Sequence, residues 1–442
     1  MFALRATRTD AQVLLSTFLA AGLFSCTGAA PDSAASARAA ATTPTPSPAL
    51  TLERVTTKVP FPRGLVMHEG ALYVLCRGRV RDYGGVTAAI NDQAGTLYRI
   101  DPAIAEAAAT TEIGDAVRGN GTLVAEPTAG PFHLWDRTAN PPSSDRMTDR
   151  PYCGLRFHAP TQSFYLCAFA GVDLDGKNGG RQFSKNLTDA ILRYDLRTQK
   201  WYEVERHDTF AGGNYPHHDP KYGKAPHGWL NGPDNCLAVG NWLYAVAKDN
   251  SRLVRYDLSA LVKDPEAGAP ASEFVLGEQV ATRKHGCVSL QGHSMLAYRD
   301  GYLYLGTRTS GHIVRLPMHA DGTFTQPIQA ELVAQFDAYD PTTKKSANMT
   351  DMDIGPDGAC YVVSATPARI YRFLPNATQV CDGRNGKLPP FADLAAMTNN
   401  PKMKSENVLV APDGSVYVTS GDSYAFHAGS GGVVWRLRAA KS

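Results

Sequence analysis

The sequence lacks several patterns that would assign it to a familiar class of enzyme or binding protein. It has no GxSxG turn of the kind that carries a hydrolase serine, and no P-loop lysine motif. None of its 8 cysteines falls in a CxxC pair or another zinc spacing, so no structural zinc site is expected. A net charge of +2 on 442 residues, without a basic run, gives no reason to expect nucleic acid as a partner.

Long hydrophobic runs are also missing, apart from one near the N-terminus. Val13 to Phe24 is apolar and follows two arginines, but it is too short for a transmembrane helix. We therefore predict a signal peptide over residues 1–26 and an exported protein. Leu23-Phe24-Ser25-Cys26 resembles a bacterial lipobox, which predicts a cell-envelope lipoprotein held to the membrane only by a lipid on the cysteine. Cleavage at Thr27-Gly28-Ala29, with ordinary secretion or a periplasmic location, is the alternative.

Large apolar residues are almost absent from the stretch that follows. Residues 27–49 consist mainly of Ala, Ser, Thr and Pro, and such a composition cannot offset the entropy lost on ordering. We predict a disordered tether here. The remaining residues, 50–442, are predicted to form one domain.

The domain is built from a repeat. Gly232 to Leu258 contains three short apolar runs separated by tight polar turns, a pattern that predicts three antiparallel strands. The unit occurs six times, each time with a tyrosine in its second strand and an arginine in its third, and the arginine is expected to snorkel at a sheet edge. The tyrosines are Tyr73, Tyr165, Tyr244, Tyr304, Tyr361 and Tyr417. Six such sheets predict an all-β, six-bladed β-propeller, because radial repetition lets each sheet bury its faces.

Closure of the ring is also predicted by the sequence. The last unit ends at its third strand, close to the C-terminus, whereas Leu50 to Val59 is an unassigned alternating strand ahead of the first unit. We predict that this N-terminal strand completes the last blade and removes an open edge. A closed ring of this kind is expected to be a monomer.

The insertions into the repeat predict where function lies. They occur between the second and third strands or between units, and both kinds of loop lie on one face of a propeller. The long segments are 77–94, 111–152, 171–189, 207–231, 375–405 and 421–432. We expect a small-molecule or glycan ligand on that face, at the mouth of the central channel.

Polar residues stand where the innermost strands begin at that mouth. They are Arg63, Cys153, Asn235, His293, Thr350 and Glu406, with Asp351 and Asn407 one position further on. This mix could bind an anion, a divalent cation or both. A wet, polar channel without any chemistry is the alternative.

Three segments carry a resemblance to a known group of proteins. PDNCLAVGNWLYAV, DIGPDGACYVV and SENVLVAPDGSVYVT resemble NHL repeats and the SMP-30/gluconolactonase-like propellers. The resemblance implies a calcium or other divalent ion in the channel, held by Glu, Asn and Asp side chains. Asn235 and Glu406 match such positions, and Asp351 is one place late. Arg63, Cys153 and His293 depart from the pattern, because that family has Asn, Glu or a small residue there.

Two functions from different classes follow. In the first, a cation held by Asn235, Asp351, Glu406 and Asn407 polarises the carbonyl of a small ester, lactone or sugar derivative. His293 then serves as general base, with Arg63 as the second candidate catalytic residue. In the second, the protein is a non-catalytic propeller that binds a protein or glycan through its long-loop face.

Overall fold

Short strands joined by tight turns make up nearly all of the regular structure, as the repeat predicts. The structure is a computed structural model. It describes residues 50–56, 62–76, 96–103, 121–125, 147–148, 151–168, 172–173, 189–207, 232–248, 251–339, 348–376, 378–420 and 432–439. Within these ranges no helix is long and apolar enough to cross a membrane.

The strands of the first half of the chain are β1 (Leu50–Thr56), β2 (Pro62–His68), β3 (Ala71–Cys76), β4 (Thr96–Ile100), β5 (Gly121–Ala125), β6 (Met147–Thr148), β7 (Pro151–His158), β8 (Ser163–Ala168), β9 (Val172–Asp173), β10 (Asp189–Asp195), β11 (Lys200–His207), β12 (Pro233–Val239), β13 (Trp242–Ala247), β14 (Arg252–Asp257) and β15 (Ser272–Leu276).

The strands of the second half are β16 (Gln279–Thr282), β17 (Gly286–Ser289), β18 (His293–Arg299), β19 (Tyr302–Thr307), β20 (His312–Pro317), β21 (Gln329–Gln335), β22 (Met349–Ile354), β23 (Cys360–Ser364), β24 (Arg369–Phe373), β25 (Cys381–Asp382), β26 (Ala392–Asp393), β27 (Ser405–Val410), β28 (Val416–Ser420) and β29 (Val433–Ala439). The short helices are α1 (Ser259–Lys263), α2 (Leu394–Met397) and a 3₁₀ turn, Arg384–Gly386.

The sheets form a propeller-like arrangement, and the prediction of an all-β propeller is confirmed. In the described part of the chain, five sheets have four strands, in the orders β2-β3-β4-β5, β7-β8-β10-β11, β12-β13-β14-β15, β22-β23-β24-β26 and β27-β28-β29-β1. The predicted number of six blades is wrong, because five of the described sheets are four-stranded blades. The repeat around Tyr304 belongs to a larger sheet of seven strands, because the hairpin β16-β17 adds to β21 in parallel and β25 pairs with β21 as well.

The predicted closure by the N-terminal strand is confirmed. β1 pairs antiparallel with β29, from Leu50 opposite Ala439 to Thr56 opposite Val434. It is the outermost strand of its sheet, where it covers the edge that β29 would otherwise expose. The first and last parts of the domain therefore share one blade.

The innermost strands of the sheets contact one another in sequence around the channel. β2 lies against β7, β7 against β12, β12 against β18, β18 against β22, β22 against β27, and β27 against β2. Gly154 allows one of these close approaches, since a Cβ at this position would lie 2.8 Å from the backbone nitrogen of Cys236 on β12. In this ring, β7 and β22 lie three steps apart in either direction.

The recurring tyrosine and arginine of the repeat are cross-strand partners. In each unit the tyrosine of the second strand lies directly opposite the arginine of the third strand. The pairs are Tyr73 with Arg99, Tyr165 with Arg193, Tyr244 with Arg255, Tyr304 with Arg315, Tyr361 with Arg372, and Tyr417 with Arg436. All six tyrosines are buried. Several of these arginines also bind the next sheet: Arg436 donates to the carbonyl of Pro102 at 2.7 Å.

The environment of these arginines differs from unit to unit, which makes a matched test available. Arg193 is 1% exposed, bonds Asp195 at 2.9 Å and the carbonyl of Pro265, and stacks on Tyr202. Arg99 holds the same place in its repeat but is exposed. We expect Arg193→Met to lower the free energy of unfolding by about 2–3 kcal/mol, because it removes a buried charge partner and a bond between sheets.

The control is Arg99→Met, which we expect to change the free energy of unfolding by less than about 0.5 kcal/mol. Urea unfolding of both variants measures the difference. Equal destabilisation would contradict the prediction, because burial and partners would then not decide the contribution of this arginine.

Candidate functional site at the channel mouth

A β-bulge interrupts the start of each innermost strand. The register against the second strand shifts between Pro62 and Gly64, Pro151 and Cys153, Pro233 and Asn235, His293 and Met295, Met349 and Asp351, and Ser405 and Val408. Bulges of this kind leave a residue outside the ladder and re-aim its side chain, and they are common beside functional sites. Every repeat unit therefore presents irregular backbone at the same end of the channel.

The bulges explain how the predicted site residues are arranged. Arg63, Thr350 and Glu406 are residues of the bulges themselves, so they lie at one level of the channel. Asn235 and Asp351 directly follow their bulges, with Asn407 beside them, which places these three at a second level. His293 precedes its bulge and lies at neither level.

Asp351 is the centre of the second level. Its carboxylate accepts a hydrogen bond from Asn235 Nδ2 at 2.8 Å on Oδ1, and one from Asn407 Nδ2 at 3.1 Å on Oδ2. The backbone N–H of Val408 donates to Oδ2 as well, at 3.2 Å. Arg156 Nη2 lies 3.8 Å from Oδ1. Both carboxylate oxygens are therefore used within the protein.

These contacts cross the channel. Asn235 belongs to β12 and Asp351 to β22, and β18 lies between those two strands in the ring. Arg156 belongs to β7, on the opposite side of the ring from β22. Side chains on strands that are not neighbours can meet only by pointing toward the channel axis. The group of Asp351, Asn235, Asn407 and Arg156, which we call the Asp351 cluster, therefore forms a floor across the channel.

Burial and charge act in opposite directions on the carboxyls of this floor. Burial raises the pKa of Asp351, while the Arg156 guanidinium and the N–H donors of Asn407 and Val408 lower it. Asp353, two residues further along β22, is partly exposed as a residue, but desolvation of its carboxyl group raises its pKa to about 6. Its Oδ2 accepts from the backbone N–H of Val410 at 2.8 Å. The two carboxylates together tie β22 to the N–H groups of Val408 and Val410 on β27.

The orientation of the two carboxamides follows from Asp351. An ionised carboxylate accepts hydrogen bonds and cannot donate, so Asn235 and Asn407 must turn their Nδ2 groups toward it. Their Oδ1 atoms then point away from Asp351. Both oxygens are buried, and neither has a hydrogen-bond partner in the described part of the chain. The hydroxyl of Thr350 is also buried without a partner.

Glu406 and Arg63 form an ion pair at the bulge level, between the neighbouring strands β27 and β2. The side chains are only 10% and 6% exposed, respectively. A pair so well shielded from solvent persists only when each charge is compensated by the other. The negative charge of Glu406 is therefore balanced by a positively charged side chain of the protein.

His293 lies apart from the Asp351 cluster. It is completely buried, and neither ring nitrogen makes a hydrogen bond of normal geometry. Burial lowers its pKa to about 4, and the nearby backbone of Arg252 offsets this only in part. Arg252 begins β14 of the neighbouring sheet, so the imidazole borders the space between two sheets.

The donor set does not fit the divalent cation that the family resemblance implies. Calcium takes six to eight oxygen ligands, and magnesium requires a near-octahedral set. Asp351 already accepts three N–H donors, and Glu406 is paired with Arg63. Among the predicted oxygen donors of the channel mouth, the atoms without a partner are the two carboxamide oxygens and the Thr350 hydroxyl. Among the described residues, no group of three or more His, Cys, Asp and Glu side chains is arranged to hold a metal.

Arg156 is the functional-site candidate that sequence reasoning missed. It lies within GLRFH, where the matching strands of other units read GLVMH and CLAVG, so a charge interrupts an otherwise apolar inner strand. That irregularity was the available signal. Its contact with Asp351 spans 195 positions of sequence, from Arg156 to Asp351, and no local pattern predicts it.

Some predicted features lie outside the described residues. The side chain of Cys153 is one of them, and so is most of the insertions 77–94, 111–152, 171–189, 207–231 and 421–432. The insertion 375–405 is described except for residue 377, and it contains β25, β26, the 3₁₀ turn and α2.

Comparison with known proteins gives likenesses of fold. No protein-family model matches the sequence, and no curated protein matches it. Solved structures that resemble it include the soluble aldose sugar dehydrogenase of Escherichia coli, at 11% identity and a TM-score of 0.44, covering 88% of this chain and 100% of that one.

Two other solved structures are similar at the same level. The calcium-binding protein regucalcin of Agrobacterium tumefaciens has 10% identity and a TM-score of 0.39, covering 87% of this chain and 92% of that one. A 6-phosphogluconolactonase assigned in Bacteroides uniformis has 13% identity and a TM-score of 0.38, covering 79% and 75%. At such identities the comparison says nothing about activity.

Proposed function

We propose that this protein binds a small, uncharged, hydroxyl-rich compound, such as a sugar residue of a glycan or a sugar lactone, at the mouth of its channel. The observation that carries the proposal is the pair of buried carboxamide oxygens on Asn235 and Asn407, whose orientation is fixed by Asp351 and which have no partner in the protein.

Buried polar atoms without partners point to a ligand or ordered water, because each costs about 1–3 kcal/mol of desolvation. Carboxamide oxygens are acceptors, so their partner has to donate. The ligand must therefore offer O–H or N–H groups. Arg63 is paired with Glu406 and Arg156 with Asp351, so neither arginine is left to balance the charge of an anionic ligand.

Hydrolysis of a sugar lactone or small ester is the second candidate. The raised pKa of Asp353, about 6, is the observation in its favour, since a general base works best near the ambient pH. We place it second because His293 is buried beside Arg252, and because the carboxylates proposed for a cation, those of Asp351 and Glu406, have partners in the protein.

Thr350→Val tests the binding proposal. The substitution keeps the shape of the side chain and removes a hydroxyl that has no partner in the protein. The probes are neutral monosaccharides and disaccharides, sugar lactones and the matching sugar acids, screened by saturation-transfer NMR and then titrated by calorimetry. We expect the neutral probes to bind, and Thr350→Val to weaken the binding about tenfold while leaving the melting temperature unchanged or slightly higher.

Thr307→Val is the matched control. Its hydroxyl bonds the backbone N–H and carbonyl of His312 and the hydroxyl of Ser310, so its loss should lower stability and leave affinity unchanged. Equal affinities of wild type and Thr350→Val would refute the binding proposal, as would the absence of any neutral ligand at millimolar concentration. If the protein releases acid from the lactones faster than buffer alone does, hydrolysis becomes the favoured function.

We further propose that the protein acts outside the cytoplasm, as the predicted signal peptide requires. Cys287 is disulfide-bonded, a state that is typical of oxidising compartments. Other described cysteines are free thiols: Cys76, Cys167, Cys236, Cys360 and Cys381. The mature N-terminus, read by mass spectrometry, decides between a lipid on Cys26 and ordinary cleavage.

A further inference from the structure

We propose that Arg63 and Arg156 take the electrostatic place of a divalent cation in this channel, so that the mouth is held together by guanidinium groups and works without a metal. The inference goes beyond ligand binding, because it concerns what stabilises the channel carboxylates whatever the ligand is.

Each of the two arginines lies beside a carboxylate of the channel. Arg63 pairs with Glu406 at the bulge level, and Arg156 reaches from the far side of the ring to 3.8 Å from Asp351 Oδ1. Each arginine therefore faces one of the two carboxylates that the resemblance would assign to a cation. A guanidinium offers five N–H donors and is always charged, so it can compensate a carboxylate inside a poorly solvated channel.

The channel carboxylates have little bonding capacity left for a metal ion. Asp351 accepts N–H groups on both oxygens, and Asp353 accepts the backbone N–H groups of Val410 and Ile354 at 2.8 Å each. Asp234, at the bulge of β12, is buried and partnered as well. A divalent ion entering this channel would have to displace these donors and approach two positive charges. Both steps oppose its binding.

Two variants test the inference: one removes the negative charge of the ion pair and the other removes its positive charge. Glu406→Gln removes the negative charge of Glu406 from beside the Arg63 guanidinium, and Arg63→Gln removes the guanidinium from beside the Glu406 carboxylate. Glu406→Gln keeps the size of the side chain, whereas Arg63→Gln also shortens it, and both should lower the melting temperature. The probes are calcium chloride at millimolar concentration against EDTA, and sodium sulfate against sodium chloride, all at equal ionic strength.

We expect calcium to leave the wild-type melting temperature unchanged and to raise that of Arg63→Gln alone, by about 3 °C. Sulfate should specifically raise that of Glu406→Gln alone. The double variant Arg63→Gln/Glu406→Gln has neither uncompensated charge and should respond to neither ion. It serves as the control for general effects of salt.

Two results would overturn the inference. One is calcium-dependent stability of the wild type that Glu406→Gln abolishes, since Glu406 would then be a ligand of the ion. The other is an Arg63→Gln variant that calcium does not stabilise, since the guanidinium would then not stand in the place of a cation. If Arg63→Gln does not fold, calorimetric titration of wild type with calcium decides: stoichiometric heat overturns the inference, and its absence together with sulfate rescue of Glu406→Gln supports it.

Discussion

Deletion of residues 1–58 lowers the melting temperature of the propeller by about 10 °C or more, whereas deletion of residues 1–48 does not change it. This is the expected result for a ring closed by its N-terminal strand. The longer deletion removes β1 and leaves β29 as an open edge, while the shorter one removes only segments that precede β1.

The contacts of β1 set the size of the effect. Val55 is 3% exposed and Thr56 is 1% exposed, so both are core residues of the last blade. Glu53 pairs with Arg436 at 2.7 Å, and the Arg54 guanidinium lies 5.6 Å from the centre of the Trp435 ring. Loss of these contacts and of the ladder should cost on the order of 5 kcal/mol, taking apolar burial and about 1 kcal/mol for each net hydrogen bond.

Both truncations are produced in the same compartment and compared by calorimetry. Glu53→Ala in the protein that keeps β1 separates the ion pair from the ladder, and it should account for no more than about 1 kcal/mol. The exposed β29 edge should also make the 1–58 deletion prone to association, which light scattering detects. Equal melting temperatures for the two truncations would show that β1 does not support the ring.

The repeat could be predicted from the sequence because its signals are local. Tyrosine in the second strand and arginine in the third recur in every unit, and the structure pairs them across the ladder each time. The closing strand could be predicted for the same reason, since Leu50 to Thr56 alternates and has no other partner. Turn residues and alternation fix such elements within one unit.

The seven-stranded sheet could not be predicted in the same way. Its extra strands join by parallel pairing of Ala281 with Gln329 and of Ala334 with Cys381, across about 50 residues in each case. Parallel pairing at that separation leaves no turn signal in the sequence. The extension therefore appears only when the units are packed together.

The sequence predicted which residue types lie at the channel mouth, but not the level of the channel at which each side chain lies. The sequence places polar residues at the start of each inner strand, but a bulge shifts each strand by one residue, so Asn235 and Asp351 fall at one level and Glu406 at another. A one-residue shift changes where every side chain points. Arg156 was missed because its partner lies across the channel.

Asp351→Asn is expected to have the second large effect. The substitution keeps the size of the side chain but replaces one acceptor oxygen by an N–H₂ group, which then faces N–H donors of Asn235, or of Asn407 and Val408. It also removes the negative charge opposite Arg156. We expect a loss of about 3 kcal/mol or more in the free energy of unfolding, as for other buried charges that lose a partner.

Asp353→Asn is the matched comparison on the same strand. Asp353 retains some contact with solvent and accepts from two backbone N–H groups, so its substitution should cost about 1 kcal/mol. The double variant Asp351→Asn/Asn407→Asp exchanges the carboxylate and the carboxamide between these two hydrogen-bonded positions. It should recover part of the loss in stability, because the carboxamide–carboxylate hydrogen bond between them is restored. Chemical unfolding of the three variants measures these differences. An Asp351→Asn protein as stable as wild type would mean that the carboxylate does not hold the floor of the channel, and the orientation assigned to the two carboxamides would fall with it.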